Sequence, residues 1–454
     1  MIGGMPTNPK AARKKQASSV RHTRAIQRDR TKRPTVAPSA PQVEAQLADL
    51  IQPATFAQVA SFQALGLRER ILTLPVMVAF VLSLIWRHLG SVAEATRVLR
   101  QEGFLWVQPT PVSPQALTDR LGSLPATLFH QVVHDLLPHL HQRWQARRRP
   151  IPPAVAWAQR HFTAVLALDG STLDALLHKT GLLQGRAKRA LAGRMAALLD
   201  IATRLPRQVW YEDDSQAHDQ RFWDRVIMAV EAGTLLIFDL GFLNYAHYDD
   251  LTVRGIHFLT RAAENMAYRV ERVVQATGEV HDLLVWVGST DDSRCTHLLR
   301  LVEIKHGDTW YRYLTNVVDA AVLPTPYVLA LYWQRWRIED AFAIVKRLLG
   351  LAYFWSGSNN GIQVQVWATW LVYAVLVDLT DAVAAVLEQP YQALSLEMVY
   401  RGLYHFTQAV HRGLADDPVA YLAANATWLG IVKRKRKQRS GLSELLGLTI
   451  SSDP

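Results

Sequence analysis

Three acids in this chain sit where a charge is hard to keep. Asp169 ends the apolar run "HFTAVLALD" (161–169), Asp239 ends "TLLIFD" (234–239), and Glu339 lies inside "YWQRWRIEDAFAIVKRLLG" (332–350). Short apolar and β-branched runs read as buried strands, which puts two of the acids at strand C-terminal ends. If those strands are neighbours in a sheet, their aspartates converge at one edge, and a helix packed there adds the glutamate. Three carboxylates at one point cannot all ionise unless cations neutralise them. Hard oxygen donors select Mg²⁺ or Mn²⁺, and two such ions about 3.5–4 Å apart would clamp the attacking and leaving oxygens of a phosphodiester. The chemistry expected is phosphoryl transfer on nucleic acid.

The segment around Glu339 carries a second signal. On one continuous helix, Tyr332, Arg335, Glu339 and Lys346 fall within roughly 60° of one another, at the edge of an apolar stripe of Ile338, Phe342, Val345 and Leu349. An acid in that row is partly desolvated and has two cations and a phenol beside it. The bland alternative is an exposed helix with an i,i+4 salt bridge between Arg335 and Glu339. "YWQRW" alternates rings and cations, so Arg335 and Arg337 are candidates to grip phosphate, while Trp333 and Trp336 could equally pack on the core.

The elements that must position these residues follow from pattern. "GRMAALLDI" and "RQVWYE" read as two more short strands, "DQRFWDRVIMAVEAG" as a helix and "IHFLTRA" (256–262) as a fifth strand. Between about 265 and 318 the period becomes two, which predicts a small antiparallel insert. The expected fold class is α/β, a mixed sheet flanked by helices with an antiparallel β-rich insert and an all-helical N-terminal domain. The divisions expected are a disordered basic tail over 1–45, a helical and possible DNA-binding domain over 46–150, the first part of the core over 151–264, the insertion over 265–318, the glutamate helix region over 319–355, a helical region over 356–432 and a basic tail over 433–454.

Composition narrows the function. The chain has 454 residues, 49% of them hydrophobic, enough for two or three domains. A single cysteine, Cys295, excludes a disulfide framework and a Cys-based zinc site and fits a reducing cytoplasm. Residues 1–35 carry a net charge of +9 and "KRKRKQR" (433–439) a further +6, which leaves −4 for the rest of a +11 chain. Basic tails of this kind bind polyanions, DNA or RNA above all, without reading sequence. The apolar runs 71–86 and 366–377 are shorter than the ~20 residues a spanning helix needs, and the basic N-terminus is not followed by an export segment. No phosphate-cradling GxxxxGK or GxGxxG occurs, which argues against a nucleotide cofactor. Asp213, Asp214 and Asp219 in "YEDDSQAHD", and Asp291 and Asp292 in "STDDSRC", read as turn residues. His134, His139 and His141 surround Pro138, which is expected to interrupt their helix.

The spacing Tyr332-x2-Arg335-x3-Glu339-x6-Lys346 resembles the YREK signature of the DDE transposases in the insertion-sequence-four (IS-four) family, and "LALDGS" and "FDLGF" are similar to that family's first and second acid motifs. The resemblance covers roughly 161–350. It implies an RNase H-like catalytic core with a β-rich insert, acting by cut and paste on terminal inverted repeats of double-stranded DNA and on target DNA. Asp169, Asp239 and Glu339 would be catalytic and would ligate Mg²⁺ or Mn²⁺, two ions per site. Tyr332, Arg335 and Lys346 would contact DNA beside the cut. An aromatic of the insert, Trp286 or Trp310, would stack on a flipped base if a hairpin forms. The working form would be a homodimer in a synaptic complex, nucleoid-associated in a prokaryotic cytoplasm, with no membrane partner. One departure is Leu240, which stands where many members carry a polar or basic residue. The alternatives are a transposase-derived protein that binds DNA without cutting it, and a metal-dependent nuclease or resolvase.

Overall fold

A computed structural model describes residues 41–67, 70–173, 193–214, 218–242, 244–288, 294–351, 355–356 and 358–433. Both basic tails, up to residue 40 and from 434 on, and the pair Asp291 and Asp292 lie outside the described residues.

The sheet has nine strands in the order β3-β2-β1-β4-β5-β9-β8-β7-β6. They are β1 Val165–Thr172, β2 Arg194–Asp200, β3 Pro206–Glu212, β4 Leu235–Ile237, β5 His257–Arg261, β6 Tyr268–Ala276, β7 Val280–Val287, β8 Leu299–His306 and β9 Thr309–Thr315. β2 pairs antiparallel with β1 and β3, whereas β4 runs parallel to both β1 and β5. The two-residue period expected for the insert is present in β6–β9, but these strands do not form a separate body. β9 pairs antiparallel with β5 through Leu259, Thr260 and Arg261, so the insert extends the same sheet.

Side-chain alternation divides the core in two. Val165, Ala167, Leu235 and Ile237 face a large helical layer, and Leu166, Leu168, Leu236 and Phe238 face a smaller layer. The smaller layer holds Trp223, Val226 and Ile227 of α8 (Trp223–Ala229) and Tyr248 and Leu251 of α9 (Tyr245–Val253). The large layer draws on both ends of the chain, α1 Pro41–Ala57, α2 Val59–Ala64, α3 Leu74–Trp86, α4 Val92–Gln101, α5 Pro114–Ser123, α6 Ala126–Ala146 and α7 Pro153–His161 before the sheet, and α12 Asn359–Val386, α13 Leu396–His411 and α14 Pro418–Ala424 after it. The regions 46–150 and 356–432 therefore share one hydrophobic core.

α12 organises that layer. By length and composition its 28 residues suffice to cross a bilayer, longer than the apolar run inside it suggested, yet most of it is buried against the other helices. Its N-terminus is fixed by Asn360, which accepts from Ala126 N (3.1 Å) and donates to Leu124 O (2.5 Å). Near its other end, buried Asp378 and Asp381 would be prohibitive alone and are neutralised by three arginines that follow or end α6. Arg143 lies 3.0 Å and Arg147 2.7 Å from Asp378, and Arg149 lies 2.5 Å from Asp381. α6 itself runs unbroken through Pro138, contrary to the expected interruption. Its packing on α12 outweighs the backbone hydrogen bond that proline removes.

The insert is tied to the helix that follows it by a buried ion pair. Arg300 Nε and Nη2 donate to Asp282 Oδ1 (2.8 Å) and Oδ2 (2.6 Å), and Arg300 Nη1 donates to Leu323 O (2.7 Å). Thr325 Oγ1, at the start of α10 (Thr325–Gln334), donates to the same Asp282 carboxylate at 2.7 Å. Both side chains are fully buried, so removing one strands the other. Asp282→Ala should destabilise the protein by about 3–5 kcal/mol in urea denaturation, and Asp282→Leu combined with Arg300→Met should cost clearly less than that single change.

Candidate active site

Parallel pairing sets the site. Ala167 lies opposite Ile237, so Asp169 and Asp239, each two residues further on, come level on the face that points to the large helical layer. β4 ends at Ile237, and Asp239 sits just past it, ahead of a 3₁₀ turn at Leu240–Phe242. Each aspartate is steadied by a nearby backbone N–H: Gly170 N donates to Asp169 Oδ1 and Gly241 N to Asp239 Oδ1, both at 2.8 Å.

The helix expected over 332–350 is present, with a tightened turn at Arg335 and a widened one near its end. α10 ends at Gln334, Arg335 is the joint, α11 spans Trp336–Ala343, and Ile344–Leu348 is a π turn in which Leu349 N bonds to Ile344 O. The four residues of the expected stripe are thus carried by three short pieces. Tyr332 is buried against Tyr313, with ring centroids 5.0 Å apart. Arg335 is buried too, 6% exposed, and its guanidinium is committed to acids. Nη1 lies 3.1 Å from Asp169 Oδ2, and Nη2 lies 3.0 Å from Glu339 Oε1. The Arg335–Glu339 salt bridge of the bland reading exists, but it extends to a third residue on the sheet. Lys346 joins Asp169, Ser171 and Glu339 in lining an open cleft of about 350 Å³.

Other candidates fall elsewhere. Arg337 turns to Asp340, 3.2 Å away, on the side of α11 where the charge of Arg204 is felt. Trp286 alternates with the buried Val285 and Val287 and so projects to the sheet face that carries Asp169 and Asp239, its indole N–H donating to Glu271 at 2.9 Å. Trp310 alternates with Tyr311 and projects to the opposite face, stacked on His281 with centroids 4.5 Å apart.

One acid near this edge, Asp219, reads in the sequence as a turn residue. Asp219 does open a 3₁₀ turn, Asp219–Phe222, but its carboxylate lies beside Gly170 and Gly241 and pairs with Arg194 at 2.6 Å. The usable sequence signal was an acid opening an apolar helix, together with a glycine one or two residues after each strand-end aspartate.

The electrostatics of the group are dominated by burial. Desolvation pushes the Asp169 carboxyl up to about 7, against the opposing pull of Arg335, and the neighbouring charges of Asp239 and Glu339 push it the same way. Among the described residues no three acid, histidine or cysteine side chains are closed into a cage for a metal ion. Arg335 stands between Asp169 and Glu339 instead. The donor set still suits a hard divalent cation, because three carboxylates gather near one buried guanidinium that pairs with only two of them, Asp169 and Glu339.

A carboxyl raised in the folded state makes the fold lose stability as pH climbs from its unfolded value near 4 through about 7. In chelator, Asp169→Asn should therefore gain stability relative to the wild type across that window. Thermal midpoints of the two proteins, compared from pH 4 to pH 8, check the sign.

Comparisons with known proteins bear on the same region. Residues 160–375, which contain all three acids and the helix joint, match the family model described as the transposase DDE domain. A curated protein of Sinorhizobium fredii named "Putative transposase y4zB" is 27% identical over 283 residues, covering 59% of this chain and 72% of the relative. Among solved structures, a piggyBac transposase synaptic complex with hairpin DNA aligns over 87% of this chain and 86% of that one, at 12% identity and a TM-score of 0.38. The family model, which falls on the segment that builds this site, and the Sinorhizobium relative support a DDE transposase.

Proposed function

We propose that this chain is a metal-dependent transposase of the IS-four type, cutting double-stranded DNA at the terminal inverted repeats of its own element and joining the freed ends to target DNA. The observation that carries the reading is the convergence of Asp169 and Asp239, level on parallel strands, with Glu339 through the shared Arg335 guanidinium. The strand order β3-β2-β1-β4-β5, antiparallel among the first three and parallel thereafter, supports an RNase H-like core.

In this reading Asp169, Asp239 and Glu339 hold Mg²⁺ or Mn²⁺, which when bound supplies the positive charge that activates a water or 3′-hydroxyl and stabilises the departing oxygen. The other residues of the signature divide the remaining work. Arg335 keeps two carboxylates together, and Tyr332 packs behind it, with the guanidinium 5.8 Å from its ring. Lys346, at the cleft, faces the phosphate of the strand being cut. Arg337 stands half-buried on the side of α11 near Arg204, paired with Asp340, and would reach DNA phosphate only from there. Trp286 is the better placed of the two tryptophans for a flipped base, since it projects to the same sheet face as the acids. The basic tails hold DNA without reading it, two copies of the chain form the synaptic complex, and the protein works in the cytoplasm on the nucleoid.

The test is incubation of the full chain with DNA carrying the element ends, in Mg²⁺ or Mn²⁺, with a target plasmid present. Cuts at the ends and joined products are expected for the wild type, and Glu339→Gln should lose about 10²–10³-fold or more while still binding the ends. Cuts without joining would point to a nuclease, and binding without cuts to a DNA-binding protein.

A further inference from the structure

We propose that Asp219 and Arg194 are a positioning pair that sets the spacing of the two turns bearing Asp169 and Asp239. The inference rests on the reading of those aspartates as metal-holding carboxylates, and it concerns residues that neither the acid motifs nor the tetrad includes.

The geometry comes from two missing side chains. A Cβ at Gly170 would lie 2.0 Å from Asp219 Oδ1, and one at Gly241 would lie 3.3 Å from Asp219 Oδ2 and 3.0 Å from Asp239 Oδ1. One carboxylate therefore occupies the space that two glycines leave open, one glycine from each aspartate turn. Strand alternation explains why the pair does not compete with the site itself: Asp169 projects to the large helical layer, so Gly170 opens to the other face, where the turn Asp219–Phe222 packs. Phe222 and Trp223, immediately after that turn, are buried in the smaller core, which fixes the backbone that presents Asp219.

Arg194 completes the device from the third side. It sits at the start of β2, opposite Thr172 of β1, and its Nη2 lies 2.6 Å from Asp219 Oδ1. β2, the helix-opening turn and the two aspartate turns are thereby joined through one carboxylate. A shift of either aspartate turn toward this carboxylate would press on it and disturb its pairing with Arg194. Supporting groups around metal ligands commonly set affinity by about 10–100-fold without touching the ion.

The test titrates the full chain with Mn²⁺, reading the free ion by electron paramagnetic resonance, and follows end-DNA binding and the thermal midpoint in parallel. Asp219→Asn and Arg194→Gln should each weaken Mn²⁺ binding by about 10-fold or more, with end-DNA binding retained, while Arg194→Lys keeps most of the affinity. Gly170→Ala should give the same weakening with every acid intact, and it serves where an Asp219 variant fails to fold. Wild-type Mn²⁺ affinity in Asp219→Asn and Gly170→Ala, beside a loss in Asp169→Asn, would overturn the positioning role and leave the metal reading standing. Unchanged affinity in Asp169→Asn would overturn both.

Discussion

Arg335 is shared between two carboxylates that the fold brings together from distant parts of the chain, and the architecture is arranged around that charge balance. Asp169, Asp239 and Glu339 would repel one another and resist burial if left alone. One buried guanidinium meets part of that demand, while burial above all, with Asp239 and Glu339 adding to it, still pushes the Asp169 carboxyl up to about 7. A group of acids in this condition is stabilised by any further cation that reaches it. That property separates a site from a structural salt bridge, whose partners already balance, as the buried Asp282–Arg300 pair does.

The rest of the molecule holds these charges in place. Parallel pairing of β1 with β4 fixes the two aspartates on one face. The glutamate depends on α10 and α11, and α10 is anchored at its start by Thr325 on the Asp282 carboxylate, so the β-rich insert reaches the site through a buried ion pair. Behind the glutamate helix stands the large helical core, with Phe342 of α11 against Trp370 of α12 at 6.0 Å and α12 clamped at both ends by Asn360 and by Asp378 and Asp381. Residues far from the cleft thus bear on its geometry.

Much of this was legible in the sequence because it depends on local pattern. Apolar runs ending in an acid mark the strands of Asp169 and Asp239, and the switch to a two-residue period marks the insert. What sequence did not show are the features fixed by tertiary contact. The tightened turn at Arg335, which keeps helical dihedrals, has no proline or glycine to announce it. Apolar periodicity shows that the helices at 74–86 and 359–386 are buried but not that they are buried in one core. Pairing of Leu259 with Thr315, which merges the insert into the main sheet, is long-range and leaves no local trace. Asp219 reads in the sequence as a turn residue because its neighbours, Gly170 and Gly241, act by lacking a side chain.

The measurement closest to the central claim is the thermal midpoint at pH 8, above the value of about 7 to which burial pushes the Asp169 carboxyl, with and without Mn²⁺. If the three acids form a site short of positive charge, Mn²⁺ raises the midpoint of the wild type and leaves that of Asp169→Asn nearly unchanged, since a cation that binds only the folded site stabilises it by mass action. An equal rise in both proteins, or none in the wild type, would contradict the account and reduce Arg335 to the centre of a structural salt bridge.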